Sequence, residues 1–362
     1  MIFFIYATFI FIIVRFAVTL FNFISDPKLR RVSRNYTDLV SILIPARNEE
    51  DNILNLLISI QRQDYQNYEV IILDDDSSDR TYELCEKFAA KYPEFRVIKG
   101  KELTGSWLGK NYACYQLAQQ AKGDFFLFVD ADVQVRNGAI NSAVHRMYFR
   151  KLALLSLFTN QQMVSFGEMT TVPLMHFILL NLLPLRLVYL SKNSTVAAAS
   201  GQFMLFDAVT YRKHNWHQVT KEKIVEDVEI MKRVKSAGFY GESLLANNMV
   251  SCRMYHNYTS AIDGFGKNFL AAFNYNIFAF LIFLILLVGG PMIVLTTLSL
   301  NLITMMIALI ILTRTMISLL AGQSAIPNIV LHPIQMFNML FIAFSAIQRY
   351  LTKTTVWKGR KI

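Results

Sequence analysis

Three short apolar runs that each end in a burst of acids constrain this chain more than any other feature. "VSILIPARNEE" (40–50), "EVIILDDDSSD" (69–79) and "FFLFVDADV" (125–133) begin as strands built for burial and finish in charge. A fourth run, "FRVIK" (95–99), is apolar without the acidic end. Between the runs the period changes. Ile53, Leu56, Leu57 and Ile60 fall on one helical face, a second helix is expected from about Asp79 to Lys91, and Cys114, Leu117, Ala118 and Ala121 repeat the spacing. Strands alternating with helices in this way predict an α/β fold, doubly wound around a mostly parallel sheet. Strands buried on both faces read as continuous apolar runs, which accounts for the five apolar residues before Asp130.

In an open parallel sheet, ligands bind beyond the carboxyl ends of the strands. Pro45, Arg47 and Glu49, then Asp75, then Asp130 and Asp132 are therefore expected on one rim, although they lie far apart in sequence. Two carboxylates one residue apart can share a hard divalent cation, and Mg²⁺ is usually held by one or two carboxylates plus substrate phosphates. D-x-D alone equally describes a solvated turn. With Asp75 and Arg47 on the same rim, the pattern favours a nucleoside diphosphate and its metal. The sequence has neither G-x-x-x-x-G-K-[ST] nor G-x-G-x-x-G, so a P-loop and a dinucleotide-binding fingerprint are excluded.

The ends of the chain are greasier than its middle. Of the 362 residues, 54% are apolar and 17% charged, and the excess collects at the termini. Residues 2–24 form an apolar run of the length that crosses a bilayer, interrupted by Arg15, which costs roughly 2.5–3.5 kcal/mol at mid-membrane. Without a basic start or a small-residue cleavage site, it does not read as a signal peptide. Lys28, Arg30, Arg31 and Arg34 follow it and mark that side as cytoplasmic. Residues 277–312 are almost uncharged, with Gly289-Gly290-Pro291 expected to turn the run into a hairpin, and 329–347 is apolar again. One crossing before the middle and three after it would not return the basic tail to the same side. One C-terminal segment is therefore expected to be interfacial or re-entrant.

The expected organisation is an N-terminal transmembrane helix (1–25), a cytoplasmic domain (26–270), a C-terminal transmembrane region (271–350) and a basic tail (351–362). Residues 172–190 read as an in-plane membrane segment at the mouth for a lipid acceptor. A further crossing there would separate Asp227 from Asp132 across the membrane. The net charge of +10 is assigned to flanks facing anionic lipid and not to nucleic acid, for which no binding module is visible. Cys85, Cys114 and Cys252 show no metal or disulfide spacing.

The motifs resemble the inverting family 2 glycosyltransferases with a GT-A fold. "SILIPARNEE" is similar to that family's opening strand and loop, and "LDDDSSDRT" to its D-D-G-S-T-D, with Asp76 in place of the glycine. "VDADV" resembles the D-x-D that binds the sugar nucleotide and its metal, and "VED" (225–227) the motif that supplies the catalytic base. The resemblance implies Asp75 at the nucleotide base, Asp130 and Asp132 at a Mg²⁺ or Mn²⁺ ion, Asp227 as general base and Glu226 as its helper. It implies donor contacts from Pro45, Arg47, Glu49, Lys110, Asp130, Gly201 and Gln202. "EDVEIMKRVKSAG" also reads simply as an amphipathic helix with acids in its first turn.

"GSWLGKNYAC" (105–114), "CRMYHNYTSAIDGFGKN" (252–268) and "WKGR" (357–360) look like the membrane glycosyltransferases of bacterial carotenoid and hopanoid pathways. They imply sugar or acceptor contacts from Trp107, Arg253 and Lys267, and a multi-pass protein of the cell membrane. The Q-x-x-R-W of processive polysaccharide synthases is absent, with "GFGKN" near its place. The expectation is one hexose moved from a nucleotide-sugar, UDP-linked by resemblance, to a lipid acceptor such as a carotenoid. A polyprenyl-phosphate glycosyltransferase, a processive synthase and a non-catalytic membrane partner are the alternatives.

Overall fold

Each of the four apolar runs forms a strand in the computed structural model, which describes residues 2–352, 356–357 and 360–361. Val40–Ala46 lies between Tyr68–Asp74 and Phe125–Val129, parallel to both, and Phe95–Lys99 adds in parallel beyond Tyr68–Asp74. Three more strands complete a seven-stranded sheet. Its order is Phe95–Lys99, Tyr68–Asp74, Val40–Ala46, Phe125–Val129, Phe203–Asp207, Leu152–Phe158, Tyr240–Leu245. Phe203–Asp207 is antiparallel to both neighbours, with Phe203 opposite Val129. That reversal brings the start of this strand to the edge where the parallel strands end. The helices read from sequence appear as Ile53–Gln61, Thr81–Ala89 and Gly109–Gln120.

The sheet belongs to a unit made of Pro27–Asn160 and Arg186–Cys252. Its middle strands are sealed, as the continuous apolar runs require: Ile42, Leu43, Ile44, Val70, Ile71 and Ile72 have no solvent exposure. Pro45 follows the last pair with the neighbouring strand, Leu43 opposite Phe128, where a missing N–H interrupts no ladder. Gly123 marks a close approach at the start of Phe125–Val129. Its N–H donates to Ser41 Oγ at 2.8 Å, and a Cβ there would lie 2.6 Å from the Leu39 carbonyl oxygen.

A second unit, helical throughout its longer elements, gathers Met1–Asp26, Gln161–Leu185 and Arg253–Ile362. Ile2–Ser25, Ile277–Thr296 and Leu300–Ala321 are long and apolar enough to cross a membrane. Phe9, Ile12, Val294 and Met306 form the shared core of these three helices. Gly290 allows close packing: a Cβ there would sit 2.6 Å from Thr8 Oγ1. The expected hairpin at Gly289-Gly290-Pro291 is not found. The helix runs through it to Thr296, and the chain turns at 297–299, with Leu298 at φ 54°. A π-helical turn, Ile285–Gly289, precedes the proline and loosens the hydrogen-bond ladder where its missing N–H would otherwise break it.

His332–Thr352 is not among the three apolar helices. It buries Gln335 and Asn338 while exposing Phe337, Phe341 and Phe344. The segment read as in-plane contains Pro173–Leu182, a helix of 10 residues with proline in its first turn, far short of the ~20 that span a bilayer. Asn22 closes its end by donating to the Leu180 and Leu183 carbonyls, both at 2.8 Å, and accepting the Leu185 N–H at 2.7 Å. Half of the basic tail (351–362), including part of "WKGR", lies outside the described residues.

The Gly123 contact is with backbone that other strands hold in place. Gly123→Ala should therefore destabilise this unit by about 1–3 kcal/mol. Thermal unfolding of the two proteins side by side checks it, and an unchanged midpoint would contradict the packing.

Candidate active site

The parallel strands end level: Ala46 stands opposite Asp74, and Leu43 opposite Phe128, two residues before Asp130. The loops that follow the first two are laced together. Arg47 donates to the carbonyls of Asp75 and Asp76, the latter at 2.9 Å. Asn48 N–H donates to Ser77 Oγ at 3.0 Å, Glu49 N–H to Thr81 Oγ1 at 2.7 Å, and Glu50 N–H to Asp79 Oδ2 at 3.1 Å. Ser78 N–H returns to Asn48 Oδ1 at 2.9 Å. Asp76, at the position where the family pattern has glycine, has φ 58°, the left-handed region that glycine enters without strain. The backbone shape survives without the glycine because Arg47 clamps its carbonyl. Asp75 is buried, and its N–H donates to the Ala46 carbonyl at 2.8 Å.

The remaining clusters converge on Lys110, in the first turn of Gly109–Gln120. Its ammonium contacts both Asp130 oxygens, at 2.7 and 2.9 Å, and lies 3.6 Å from Glu226 Oε1. Asp130 N–H donates to the Gln202 carbonyl at 3.3 Å. Next to Gln202, Gly201 N–H donates to Asp227 Oδ2 at 2.9 Å, and Val228 N–H donates to Asp227 Oδ1 at 2.7 Å. A Cβ on Gly201 would lie 3.1 Å from Lys110 Nζ and 3.4 Å from Glu226 Oε1. The glycine thus leaves open the small space among a lysine and two acids.

Burial sets the electrostatics. Desolvation works against the Lys110 ammonium, but Asp130 and Glu226 outweigh it and hold its pKa well above the ordinary lysine range. Burial pushes Glu226 up to about 7; Lys110 opposes the shift and Asp227 adds to it. Burial also raises Asp227, against the two backbone N–H groups that it accepts. Burial, then the charges of Asp130 and Glu49, pushes Asp132 up to about 7. Asp132 Oδ1 is buried with no hydrogen-bond partner among the described residues.

Of the residues singled out in the sequence, Asp130, Asp132, Lys110, Gly201, Glu226 and Asp227 meet here, with Glu49 and Asp75 on the neighbouring loops. The buried Cys114 thiol feels the charges of Lys110, Glu226, Asp130 and Asp75 together, and Cys252 those of Asp132, Asp130 and Glu49. Arg47 acts as the clamp of the Asp75–Asp76 turn. Gln202 turns inward, accepting from Thr159 at 2.6 Å and donating to Cys252 Sγ at 3.1 Å. Trp107 packs on Tyr112 and Tyr115, with ring centroids 5.2 and 5.1 Å away. Arg253 and Lys267 belong to the helical unit, where Arg253 pairs with Glu168 at 2.8 Å.

Sequence reasoning missed Asn111. It is 1% exposed, and its amide donates to the carbonyls of Thr220, Lys221 and Lys223 at 3.1–3.2 Å. That fastens the segment leading into Glu226 to the helix carrying Lys110. Only its place inside "GKNYAC" hinted at a role.

A carboxylate raised by burial weakens the fold at neutral pH. Glu226 holds its proton in the folded state up to about 7, against an ordinary value of 4.5. Between those limits the folded state binds more protons, so its stabilising protonation is complete below the lower value and lost as pH rises through the upper. Glu226→Gln should thus raise stability by on the order of 2 kcal/mol at pH 8 and change little at pH 4. Denaturant melts at the two pH values check this; a destabilised variant at pH 8 would contradict it.

Known proteins resemble this chain in sequence and in fold. Residues 41–212 match the family described as Glycosyl transferase family 2. The chain is 28% identical over 240 residues to the 4,4'-diaponeurosporenoate glycosyltransferase of Staphylococcus haemolyticus, a match covering 64% of this chain and 61% of that protein. The chain therefore spans less than two thirds of that relative's length. It is 36% identical over 96 residues to the dolichol-phosphate mannosyltransferase of Pyrococcus furiosus, covering 26% of each. Among solved structures, the mannosyltransferase PcManGT from Pyrobaculum calidifontis, in complex with GDP-Man and Mn²⁺, aligns with a TM-score of 0.56 over 96% of this chain and 99% of that one. At 14% identity that likeness speaks to the fold alone. Residues 41–212, just under half of the chain, are thus similar to glycosyl transferase family 2, and the sheet is of the GT-A type.

Proposed function

We propose that the chain moves one sugar from a nucleoside-diphosphate sugar to a lipid acceptor, with inversion at the anomeric carbon. The observation that carries this reading is Lys110, held between Asp130 and Glu226 while Asp227 is fastened to Gly201 beside it. Asp227 takes the proton from the acceptor hydroxyl as it attacks. Its two backbone N–H partners fix the carboxylate in place, and burial raises its affinity for that proton. Glu226 orients the pair. The Lys110 ammonium, at a helix start where N–H groups also face outward, stabilises the leaving diphosphate. Gly201 leaves room for the sugar, and Asp75, on the clamped turn, takes the nucleotide base.

Asp132 fits a divalent cation, because its buried Oδ1 has no partner and Asp130 stands two residues away. Among the described residues no three His, Cys, Asp or Glu side chains form a ligand set, so phosphate oxygens and water would complete the shell. When bound, Mg²⁺ or Mn²⁺ would supply positive charge to the departing diphosphate.

Two observations support a lipid acceptor: three helices long and apolar enough to span a bilayer, and a relative named for 4,4'-diaponeurosporenoate. Three crossings, one before Pro27 and two after Cys252, return the chain to the side marked cytoplasmic by Lys28, Arg30, Arg31 and Arg34. The Pyrococcus furiosus relative, named for dolichol phosphate, favours a second reading with a lipid phosphate as acceptor. A phosphate is already ionised and needs no base, whereas a hydroxyl does.

Asp227→Asn should lower turnover on a hydroxyl-bearing lipid by about 10²–10⁴-fold while leaving nucleotide-sugar binding within a few-fold. The check is a donor screen on detergent-solubilised protein with extracted membrane lipids, read by mass spectrometry for an added hexose. Wild-type turnover in the Asn variant would remove the base, and transfer to a polyprenyl phosphate in that variant would favour the second reading.

A further inference from the structure

The helical unit holds two buried arginines with no acidic partner among the described residues. Arg15 lies within Ile2–Ser25 and Arg314 within Leu300–Ala321, two of the three apolar helices, and they are 8% and 2% exposed. This unit has three acidic residues, Asp26, Glu168 and Asp263; the last two pair with Arg253 and Arg349. Among the described residues neither Arg15 nor Arg314 has a carboxylate within ion-pair reach.

Their hydrogen bonds are few. Arg15 Nε–H donates to Asn181 Oδ1 at 3.1 Å. Arg314 donates to the Asn328 carbonyl at 3.2 Å and to Gln335 Oε1. A guanidinium carries five N–H donors, so most of both forks are unfilled. Asn181, 1% exposed, also has an Nδ2 donor without a partner. The Phe177 ring lies against both arginines, 4.9 Å from Arg15 Cζ and 4.6 Å from Arg314 Cζ. An aromatic face offsets part of a cation's charge but offers no acceptor atom.

The surroundings hold these donors in place. Asn328 donates to Gln323 Oε1 at 2.9 Å, and Gln335 donates to Asn328 Oδ1 at 3.2 Å and to the Met169 carbonyl at 2.9 Å. All of these partners are neutral. An ionised side chain within a membrane segment marks a functional site and calls for a counter-charge. Here the described residues supply none within reach.

We infer that Arg15, Arg314 and Asn181 form a binding site for the anionic head group, a carboxylate or a phosphate, of a membrane amphiphile. Guanidinium forks match the paired oxygens of both groups. The site lies in the helical unit and does not rest on the transferase reading. No covalent step is involved: the head group enters ionised, fills the free N–H donors and neutralises the pair.

The full chain in phosphatidylcholine nanodiscs, titrated with oleic acid and with phosphatidic acid, tests this. Oleyl alcohol and diacylglycerol serve as uncharged counterparts, and acetate and inorganic phosphate as soluble anions. Native mass spectrometry and the unfolding midpoint are the readouts. The charged lipids should bind one to one and raise the midpoint, the uncharged ones should do neither, and Arg15→Gln should weaken binding at least about tenfold. Equal binding of uncharged lipids, or no loss in both Arg15→Gln and Arg314→Gln, would overturn the site. Acetate or phosphate matching the lipids at equal concentration would overturn the lipid head group. If the variants fail to fold, the wild-type contrast between charged and uncharged lipids decides alone.

Discussion

A single ammonium makes the acidic rim possible. Four carboxylates, from Asp130, Asp132, Glu226 and Asp227, gather at the rim; burial raises the pKa of Asp132, Glu226 and Asp227, and the charge of Asp130 adds to all three shifts. Lys110 supplies the opposing charge at 2.7 Å from Asp130 and 3.6 Å from Glu226. Without it, the acids would have to protonate or move apart. Gly201 is the geometric counterpart of this electrostatic need, since any side chain there would press on Lys110 and Glu226. Charge and space at the rim are therefore one constraint, met by residues 110, 130, 201 and 226–227 together.

The frame around that cluster is stiff in ways that serve the site. Arg47 and Asn48 bind the loop carrying Asp75, and Asn111 binds the segment leading to Glu226. These bonds satisfy backbone groups that a rim loop would otherwise leave to water. They also explain why Arg47 and Gln202, which the sequence suggests as ligand contacts, are engaged by protein partners. A loop that must present an aspartate to a ligand needs another residue to hold it still.

The helical unit solves a different problem, placing polar groups among apolar helices. Asn22 satisfies the end of a short helix, a π turn accommodates Pro291, and Gly290 lets Thr8 approach. Each device removes an unpaired backbone group or a steric conflict. Arg15 and Arg314 stand apart because their neighbours satisfy only part of their donors.

Much of this was legible in the residues. Continuous apolar runs located four strands, and the acids that end three of them located the rim, because doubly buried strands leave that pattern and ligand-binding loops follow them. The runs "LALLSLF" (152–158) and "YGESLL" (240–245) lacked an acidic end, so the other half of the sheet did not stand out. Periodicity also misjudged Gly289-Gly290-Pro291, since a π turn leaves no mark in composition. By itself the sequence determined the class of fold, the apolar helices and the acidic clusters, all of which depend on local order along the chain. Only the tertiary structure decided which acid faces Lys110, that Gly201 must be bare, and that Arg15 and Arg314 share one aromatic ring. Those facts depend on distances between residues remote in sequence, which packing sets.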